Sequence, residues 1–213
     1  QLSKVYYYDL QQYYRILKQR NNLLKEISKN PKLQDTLFVW DDQMAEYGER
    51  IIAARKKFLA RLDEIAAEKL SQLTGGKDHL QTIYKPNCDA GMLAEKLQKN
   101  LERDIYFGST QSGPHKDDIL FSIDGREVKV YGSQGQQRTT ALAARLAEID
   151  LIREETGEDP VLLLDDVLSE LDPKRQDFVL NQIEQGQVFI TCCEPGRFTK
   201  LGQTIQIRQG TIL

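Results

Sequence analysis

The run from Val161 to Asp166 constrains the fold of this chain more than any other segment. It consists of four consecutive apolar residues followed by two aspartates. A short apolar run of this kind predicts a strand buried on both faces, as in a parallel sheet. A helical pattern follows from Pro173 to about Gln185, and a second apolar strand is predicted from Gln187 to Thr191. Strand, helix and strand in this order predict a parallel β-α-β unit.

The two aspartates, Asp165 and Asp166, stand at the carboxyl end of the predicted strand. Open α/β sheets bind their ligands at such ends, and Mg²⁺ takes one or two carboxylates together with waters and phosphate oxygens. We therefore expect Asp165 to hold Mg²⁺, directly or through water. Asp166 would orient or deprotonate the water that attacks the γ-phosphate of a nucleotide. The alternative is a buried strand that leaves its sheet through a polar turn.

A glycine-rich loop, Tyr131 to Arg138, lies at the start of a helix that is predicted from Gln136 to Glu155. Gly132 and Gly135 permit close approach to the backbone, and unpaired N–H groups at a helix N-terminus attract anions. The loop is therefore a candidate contact for a γ-phosphate. A loop that merely caps the helix, with Ser133 near the N-cap, is the alternative.

The segment after the acidic pair ends with Asp172, which precedes a proline at the first position of the next predicted helix. Helix capping is the simplest role for Asp172. The chain contains no Gly-x-x-x-x-Gly-Lys-[Ser/Thr] motif, which would cradle the α- and β-phosphates. Tight nucleotide binding by this chain alone is therefore not expected.

Residues 1–74 predict two helices that are separated by a turn at Asn30-Pro31. In the second helix, apolar or small residues alternate in steps of three and four, as in a coiled coil. These residues are Leu37, Trp40, Met44, Tyr47, Ile51, Ala54, Phe58, Leu62 and Ile65. An ordinary antiparallel hairpin is favoured over a coiled-coil arm inserted into a larger fold.

The pattern changes after Gly75-Gly76, and residues 75–213 form the second predicted part of the chain. Its first half predicts a strand at Leu80–Tyr84, a helix at Ala90–Glu102, and a hairpin of Asp118–Ile123 with Glu127–Val130, turning at Asp124-Gly125. Its end predicts a pair of short strands near Thr204–Ile207 and Thr211–Leu213. This part therefore combines α+β connecting structure with the β-α-β unit.

Composition restricts the function only weakly. The net charge of −3 neither supports nor excludes nucleic-acid binding. The longest apolar run is too short to cross a bilayer, and the three cysteines lack the spacing of a disulfide framework or a metal site. We expect a cytoplasmic protein without a membrane span. Because the chain begins with Gln1 and a polar helical pattern, we also expect it to be a fragment.

Three of these segments occur in the order and spacing of the signature motif, Walker B motif and D-loop of ABC-type ATPases. They are Gly132-Ser133-Gln134-Gly135-Gln136, Leu162-Leu163-Leu164-Asp165-Asp166 and Ser169-Glu170-Leu171-Asp172. Within that superfamily, Tyr131 to Thr139 with the upstream Gly113-Pro114-His115-Lys116-Asp117-Asp118 closely resembles the RecF family of bacterial recombination mediators. Tyr14 to Asn21 is also similar to the start of the family's helical arm. The resemblance covers essentially the whole chain.

The resemblance implies an α/β fold in two parts. Residues 75–213 would be the C-terminal part of an ABC-type ATPase head, a partly parallel sheet with helices, and residues 1–74 an antiparallel helical-hairpin arm. The N-terminal lobe with the P-loop would be missing. In the family, two heads close face to face on ATP, and each signature loop completes the site of the other head. Ser133, Gln134, Gly135 and Gln136 would therefore contact the partner's ATP, with Asp172 in the D-loop, while Asp165 and Asp166 serve their own Mg²⁺ and nucleotide.

The chain departs from the wider ABC pattern at two positions. Asp166 stands where many of these proteins have glutamate, and its shorter side chain predicts slow hydrolysis. Cys192 stands near the place of a histidine that contacts the γ-phosphate, so either Thr191 takes part or that contact is absent. The preferred interpretation of Cys192 and Cys193 is two small buried residues at a strand end. His115 is either a turn residue or a polar group that supports the head.

The function implied by the resemblance is ATP-dependent binding of single-stranded or gapped duplex DNA in replication, repair and recombination. The implied partners are DNA, the RecR protein and a second RecF-like head in an ATP-dependent homodimer, and the implied outcome is loading of RecA. Weak ATPase activity would require the P-loop lobe. Candidate DNA contacts on the arm are Lys18, Arg20, Arg55, Lys56, Lys57 and Arg61, although a solvated helix face is the simpler explanation. A non-catalytic protein-interaction module, or the head of another SMC-like or ABC ATPase, is the alternative.

Overall fold

The computed structural model describes residues 3–168, 171–182, 186–193 and 202–212. The chain folds into two compact units, residues 1–156 and 157–213, and each is described by itself. The helical hairpin thus shares a unit with the structure that follows it, and the predicted division between an arm and a head at residue 74 stays a prediction. Within the described ranges, no helix combines the length and the apolar character that a membrane span needs.

The first unit opens with the predicted helical hairpin. Helix α1 (Lys4–Ile27) is capped by Ser3, whose hydroxyl accepts a backbone N–H from the first turn at 3.2 Å. A 3₁₀ helix (Pro31–Thr36) makes the turn, and helix α2 runs from Phe38 to Thr74. Helix α2 ends where it was predicted to end, because Gly75 adopts the left-handed conformation with a φ of 65°. Glycine adopts that conformation without steric cost.

A three-stranded antiparallel sheet and four helices complete the first unit. The strands are β1 (Leu80–Lys85), β2 (Asp118–Ile123) and β3 (Arg126–Glu127), paired in that order. The helices are α3 (Leu93–Lys99), α4 (Leu101–Phe107), α5 (Val128–Tyr131) and α6 (Gln134–Thr156), and a 3₁₀ turn spans Pro114–Lys116. The turn predicted at Asp124-Gly125 is confirmed, since both residues have the positive φ of a tight hairpin.

Two predictions for this region are wrong. The single helix predicted over Ala90–Glu102 is two helices, because Asn100 leaves the helical conformation at a φ of −96° and a ψ of 9°. The hairpin strand predicted over Glu127–Val130 ends at Glu127, because the Val128 carbonyl accepts the Gly132 N–H at 3.0 Å and closes a helical turn instead.

The buried face of α2 follows the predicted coiled-coil repeat over only part of its length. Met44 and Ile51 are buried as predicted, but farther along Leu59 is buried and Phe58 is 37% exposed. The reason is that α2 packs against more than one partner: α1 and then strand β1 and helix α6. Ion pairs tie its second half to α6, for example Lys69 to Asp150 at 2.7 Å.

A buried arginine connects three helices of the first unit. Arg20 of α1 is fully buried, and its guanidinium donates to Asp41 of α2 at 2.6 Å and to Asp104 of α4 at 2.6 Å. It also donates to the Thr110 hydroxyl at 2.7 Å. Buried charges require such pairing, because leaving one unpaired costs several kcal/mol (about 3–5). The network therefore fixes α1, α2 and α4 in one arrangement.

The second unit contains the predicted parallel strands. Strands β4 (Leu162–Asp165) and β5 (Val188–Thr191) pair in parallel, and helix α7 (Pro173–Gln182) lies between them in the chain. The strand–helix–strand prediction is thereby confirmed, although the last predicted helical residues, 183–185, lie outside the described residues. A short antiparallel hairpin, β6 (Ile207–Arg208) with β7 (Thr211–Ile212), ends the unit.

Candidate functional site

The acidic pair at the end of β4 meets a hydroxyl from the neighbouring strand. The register of the sheet places Asp165 opposite Thr191. The Thr191 hydroxyl donates to Oδ1 of Asp165 at 2.5 Å and accepts the backbone N–H of Asp166 at 3.0 Å. One side chain from β5 therefore holds both acidic residues in place.

Asp166 has an uncommon backbone conformation, with a φ of 54°. Non-glycine residues avoid this left-handed region, although aspartate enters it more readily than most. Such conformations cost about 1–3 kcal/mol and concentrate at functional sites. The turn out of the sheet is held by the hydrogen bond to Thr191. The sequence pattern predicted the acidic pair but contained no signal for this conformation.

The carboxylates of Asp165 and Asp166 are exposed to solvent, so a hydrated ion can reach them. Among the described residues, no cluster of three or more His, Cys, Asp or Glu side chains forms a metal site by itself. A site with few protein ligands suits Mg²⁺, which keeps several waters and uses phosphate oxygens as ligands. The chemistry of this strand end therefore fits magnesium that arrives with a nucleotide.

Asp172 caps helix α7. Its Oδ1 accepts the N–H groups of Lys174 and Arg175, each at 3.1 Å, and the capping role considered from the sequence is present. Gln176 donates to the carbonyls of Leu168 and Leu171 and so bridges the loop between β4 and α7. Ser169 and Glu170, the first two residues of the predicted D-loop, lie outside the described residues.

The predicted signature loop forms a reciprocal cap on α6. The Ser133 hydroxyl accepts the Gln136 N–H at 3.2 Å, and Oε1 of Gln136 accepts the Ser133 N–H at 3.1 Å. Gly132 is required next to this cap, since a Cβ there would lie 2.5 Å from the Val128 carbonyl oxygen. The capping alternative is thus realised, and the loop has a defined conformation.

This cap leaves hydrogen-bond donors for an anion. The N–H groups of Gln134 and Gly135 have no acceptor within the described ranges, and the Ser133 hydroxyl keeps its proton available because its oxygen is the capping acceptor. All three residues are exposed, at the positive end of a 23-residue helix. Gln136 differs, because its amide is engaged in the cap and donates to Asp78 at 3.1 Å.

The Gly113–Asp118 segment fastens the helical hairpin to the sheet. His115 Nε2–H donates to the Thr110 carbonyl at 3.0 Å, and Nδ1 forms a hydrogen bond with the Tyr13 hydroxyl at 2.7 Å. Burial lowers the pKa of His115. Gly113 has a φ of 126°, and a Cβ there would lie 2.3 Å from the Tyr13 oxygen. His115 is therefore both a residue of the turn and a polar support of the fold.

Asp117 provides a second link in the same segment. It accepts hydrogen bonds from Arg55 of α2 at 2.8 Å, from the Tyr84 hydroxyl of β1, and from the Asn87 N–H at 2.8 Å. Burial, followed by the hydrogen bond to Asp117, raises the pKa of Tyr84. These contacts were not predicted, because the partners are distant in the sequence.

Several candidate residues have other roles in the structure. Arg20 is wrong as a DNA contact, since it is fully buried. Arg55 is engaged with Asp117, and Arg61 pairs with Glu154 at 2.6 Å. The remaining candidates, Lys18, Lys56 and Lys57, are exposed.

The adjacent cysteines at the end of β5 differ from the preferred interpretation. Cys193 is exposed and Cys192 is half-buried, so the prediction of two buried residues is wrong for Cys193. Strand β5 ends at Thr191, as predicted, so both cysteines follow the strand and do not lie within it.

The comparisons with known proteins point in one direction. No protein-family model matches the chain. The DNA replication and repair protein RecF of Agathobacter rectalis is 46% identical over 200 residues, which cover 94% of this chain and 55% of that protein. RecF of Lachnoclostridium phytofermentans is 43% identical, and the match covers 100% of this chain and 60% of that protein. RecF of Acetivibrio thermocellus is 46% identical, and the match covers 98% of this chain and 60% of that protein.

Solved structures give the same result. A structure of the recombination mediator protein RecF with ATP, described for the RecFOR pathway, is 37% identical and superimposes with a TM-score of 0.88. It covers 99% of this chain, which in turn covers 58% of that protein. A second RecF structure, with an ATP analogue, gives a TM-score of 0.85. The chain thus spans somewhat more than half the length of the relatives that it matches.

The predicted fold class, a partly parallel α/β structure with an N-terminal helical hairpin, is confirmed by the RecF structures, as is the predicted resemblance. By sequence and by structure, this chain belongs to the RecF family.

Proposed function

We propose that this chain supplies the signature loop and the magnesium-binding strand end of an ATP-controlled DNA replication and repair protein. The observation that carries the proposal is the arrangement of Asp165, Asp166 and Thr191, in which one hydroxyl fixes two exposed acidic residues at a parallel strand end. ATP, when bound by such a protein, would supply a γ-phosphate and a free-energy difference between open and closed states. The complete protein would bind single-stranded or gapped DNA in the cytoplasm and, with RecR, help load RecA.

In this proposal, the residues of the strand end have separate roles. Asp165 holds Mg²⁺, directly or through water, and Thr191 keeps its carboxylate oriented. Asp166 holds a water molecule and accepts its proton. Asp166 follows the metal-holding Asp165 in the chain and leaves the strand in a left-handed turn. Because its side chain is shorter than that of glutamate, it positions water less well and hydrolysis is slow.

The signature loop acts on the nucleotide of a second head. Ser133 donates through its hydroxyl, and Gln134 and Gly135 donate through their N–H groups. Gln136 keeps the loop in shape through its cap, and Asp172 positions the D-loop. Because these donors contact the ATP of the other head, ATP binds more tightly to the closed homodimer than to separate heads. This difference in ATP affinity shifts the equilibrium toward the closed dimer and acts as the switch.

The test requires the chain joined to the remaining part of a RecF relative, so that the P-loop is present. We expect Asp166→Glu to raise steady-state ATP turnover and Asp166→Asn to lower it by about 100-fold or more, the usual contribution of a general base. Asp177→Asn, which changes an exposed carboxylate on α7, is the matched control and should leave turnover unchanged. Unchanged turnover in both Asp166 variants would refute the assigned role.

A second candidate is a protein-interaction module without ATP chemistry. The absence of a Gly-x-x-x-x-Gly-Lys-[Ser/Thr] motif in this chain favours it for the chain taken by itself. A calorimetric titration with Mg·ATP separates the two candidates. The ATPase proposal expects weak or no binding by the chain alone and clear binding once it is joined to the P-loop lobe. Absence of binding in both forms would favour the interaction module.

A further inference from the structure

One exposed face of helix α1 is basic along its whole length. Its members are spaced in steps of four and three and are all exposed: Lys4, Tyr8, Gln11, Arg15, Lys18, Asn22 and Lys25. We call them the α1 stripe. At about 1.5 Å per residue, the 24 residues of this helix extend over roughly 36 Å. The stripe contains four cations and no carboxylate.

The cations of the α1 stripe are not used to hold the fold together. Within the described part of the chain, Arg15, Lys18 and Lys25 form no ion pair, whereas the buried Arg20 of the same helix forms two. Helix α1 has one exposed carboxylate, Glu26, and it lies at the C-terminal end beside Lys25. In a chain with a net charge of −3, an unpaired basic face of this length is a local exception.

An exposed aromatic pair adjoins the C-terminal end of the stripe. Tyr106 is 84% exposed and Phe107 is 56% exposed, and their rings contact edge to face with centroids 5.1 Å apart. Arg103 lies 5.8 Å from the centre of the Phe107 ring. The Lys25 side chain reaches the next residue, Gly108, where its Cγ lies 3.1 Å from the position of a Cβ. The stripe and the aromatic pair are therefore neighbours.

We propose that the α1 stripe and the Tyr106–Phe107 pair form a binding surface for single-stranded DNA. The cations would follow the phosphates, and the two rings would stack on bases. Bases in a duplex are already stacked and paired, so the exposed rings favour an unpaired strand over a duplex. This inference rests on the proposed DNA-binding function, and it assigns that function a surface separate from the ATP site.

The test measures the affinity of the chain for a short fluorescent single strand as a function of salt concentration. The variant Lys18→Gln with Lys25→Gln should reduce the slope of log K against log salt by about 1.4, because each lost contact to a single strand removes about 0.7. The matched control is Lys77→Gln with Lys129→Gln, which removes the same charge from two exposed positions outside helix α1. The control should keep the original slope.

The aromatic pair is tested separately. Tyr106→Ala with Phe107→Ala should weaken single-strand binding by about tenfold, leave the salt slope unchanged, and leave duplex binding unchanged, since stacking requires free bases. All of these side chains are exposed, and thermal unfolding checks that every variant remains folded.

Three results would overturn the proposal. The first is an equal salt slope in the wild type and the Lys18/Lys25 variant, and the second is an equal decrease of that slope in the control variant. The third is no binding of the chain to single strands. Binding of poly-glutamate with the same dependence on the stripe and the rings would assign the surface to an acidic protein instead. No nucleotide is present in these measurements. Failure here therefore leaves the ATP-turnover test intact, and failure of that test leaves this one intact.

Discussion

The two units of the chain differ in how far their helices and strands are linked and covered by other residues of the same unit. In the first unit a fully buried arginine has two carboxylate partners, and the Gly113–Asp118 segment links helices to strand β1 through partly buried hydrogen bonds. In the second unit, Leu163 and Phe189 stand opposite each other on the parallel strands and are 70% and 52% exposed. Parallel strands are normally covered on both faces.

The signature loop and the acidic strand end, the two candidate ligand-binding elements, therefore differ in how well the surrounding structure supports them. The signature loop begins a long helix that packs on α2 in the first unit, so its conformation rests on an extensive core. The acidic strand end rests on two four-residue strands with an apolar face open to solvent. We therefore expect the signature loop to keep its conformation under conditions in which the acidic strand end is already opening.

The largest expected effect tests the support of the first unit. Arg20→Met leaves Asp41 and Asp104 without their cation in a buried site, and we expect a loss of about 3–5 kcal/mol in the free energy of unfolding. Urea unfolding followed by circular dichroism measures it. Arg15→Met, an exposed change on the same helix, is the control and should cost less than about 0.5 kcal/mol. Equal costs would show that the buried network does not hold the helices together.

The next largest effect compares two neighbouring residues of strand β4, one buried and one on the exposed apolar face of the second unit. Leu164 is 6% exposed and Leu163 is 70% exposed. Leu164→Ala should destabilise the unit by about 2–3 kcal/mol, because it removes buried apolar surface and leaves a cavity. Leu163→Ala should cost less than about 0.5 kcal/mol. Hydrogen exchange of the amides in β4 and β5 measures both. Similar costs at the two positions would mean that the face at Leu163 is covered in solution.

Local chemistry explains what the sequence could predict. Gly75, Pro173 and Asp172 are strong signals for helix ends, and the apolar run before Asp165 is a strong signal for a strand. The predicted burial of this strand on both faces is wrong, since Leu163 is 70% exposed. These signals act over a few residues, so the helices, the parallel strands and the acidic pair were predictable. The resemblance to RecF then connected segments that were individually weak.

Long-range packing explains what the sequence could not predict. Arg20 has the pattern of a surface cation, and only contacts with residues 21 and 84 positions away bury it. The contact between Thr191 and Asp165 spans 26 residues, and the left-handed turn at Asp166 depends on it. Such contacts have no local signature, so the roles of these residues appear only in the folded chain.

The smallest expected effect concerns pH and returns to the first unit. Burial lowers the pKa of His115, so below the usual histidine value of about 6.5 the unfolded chain binds a proton that the folded chain does not. The unfolding free energy therefore falls as the pH drops from 7 through that window. His115→Gln removes this contribution, and its stability should fall less than that of the wild type between pH 7 and pH 5. Between pH 7 and pH 8 the two proteins should show parallel curves, because the imidazole is then largely neutral in both states. Urea unfolding across this pH series measures the difference, and identical acid dependence in the two proteins would show that His115 accepts a proton as readily in the fold as in the unfolded chain.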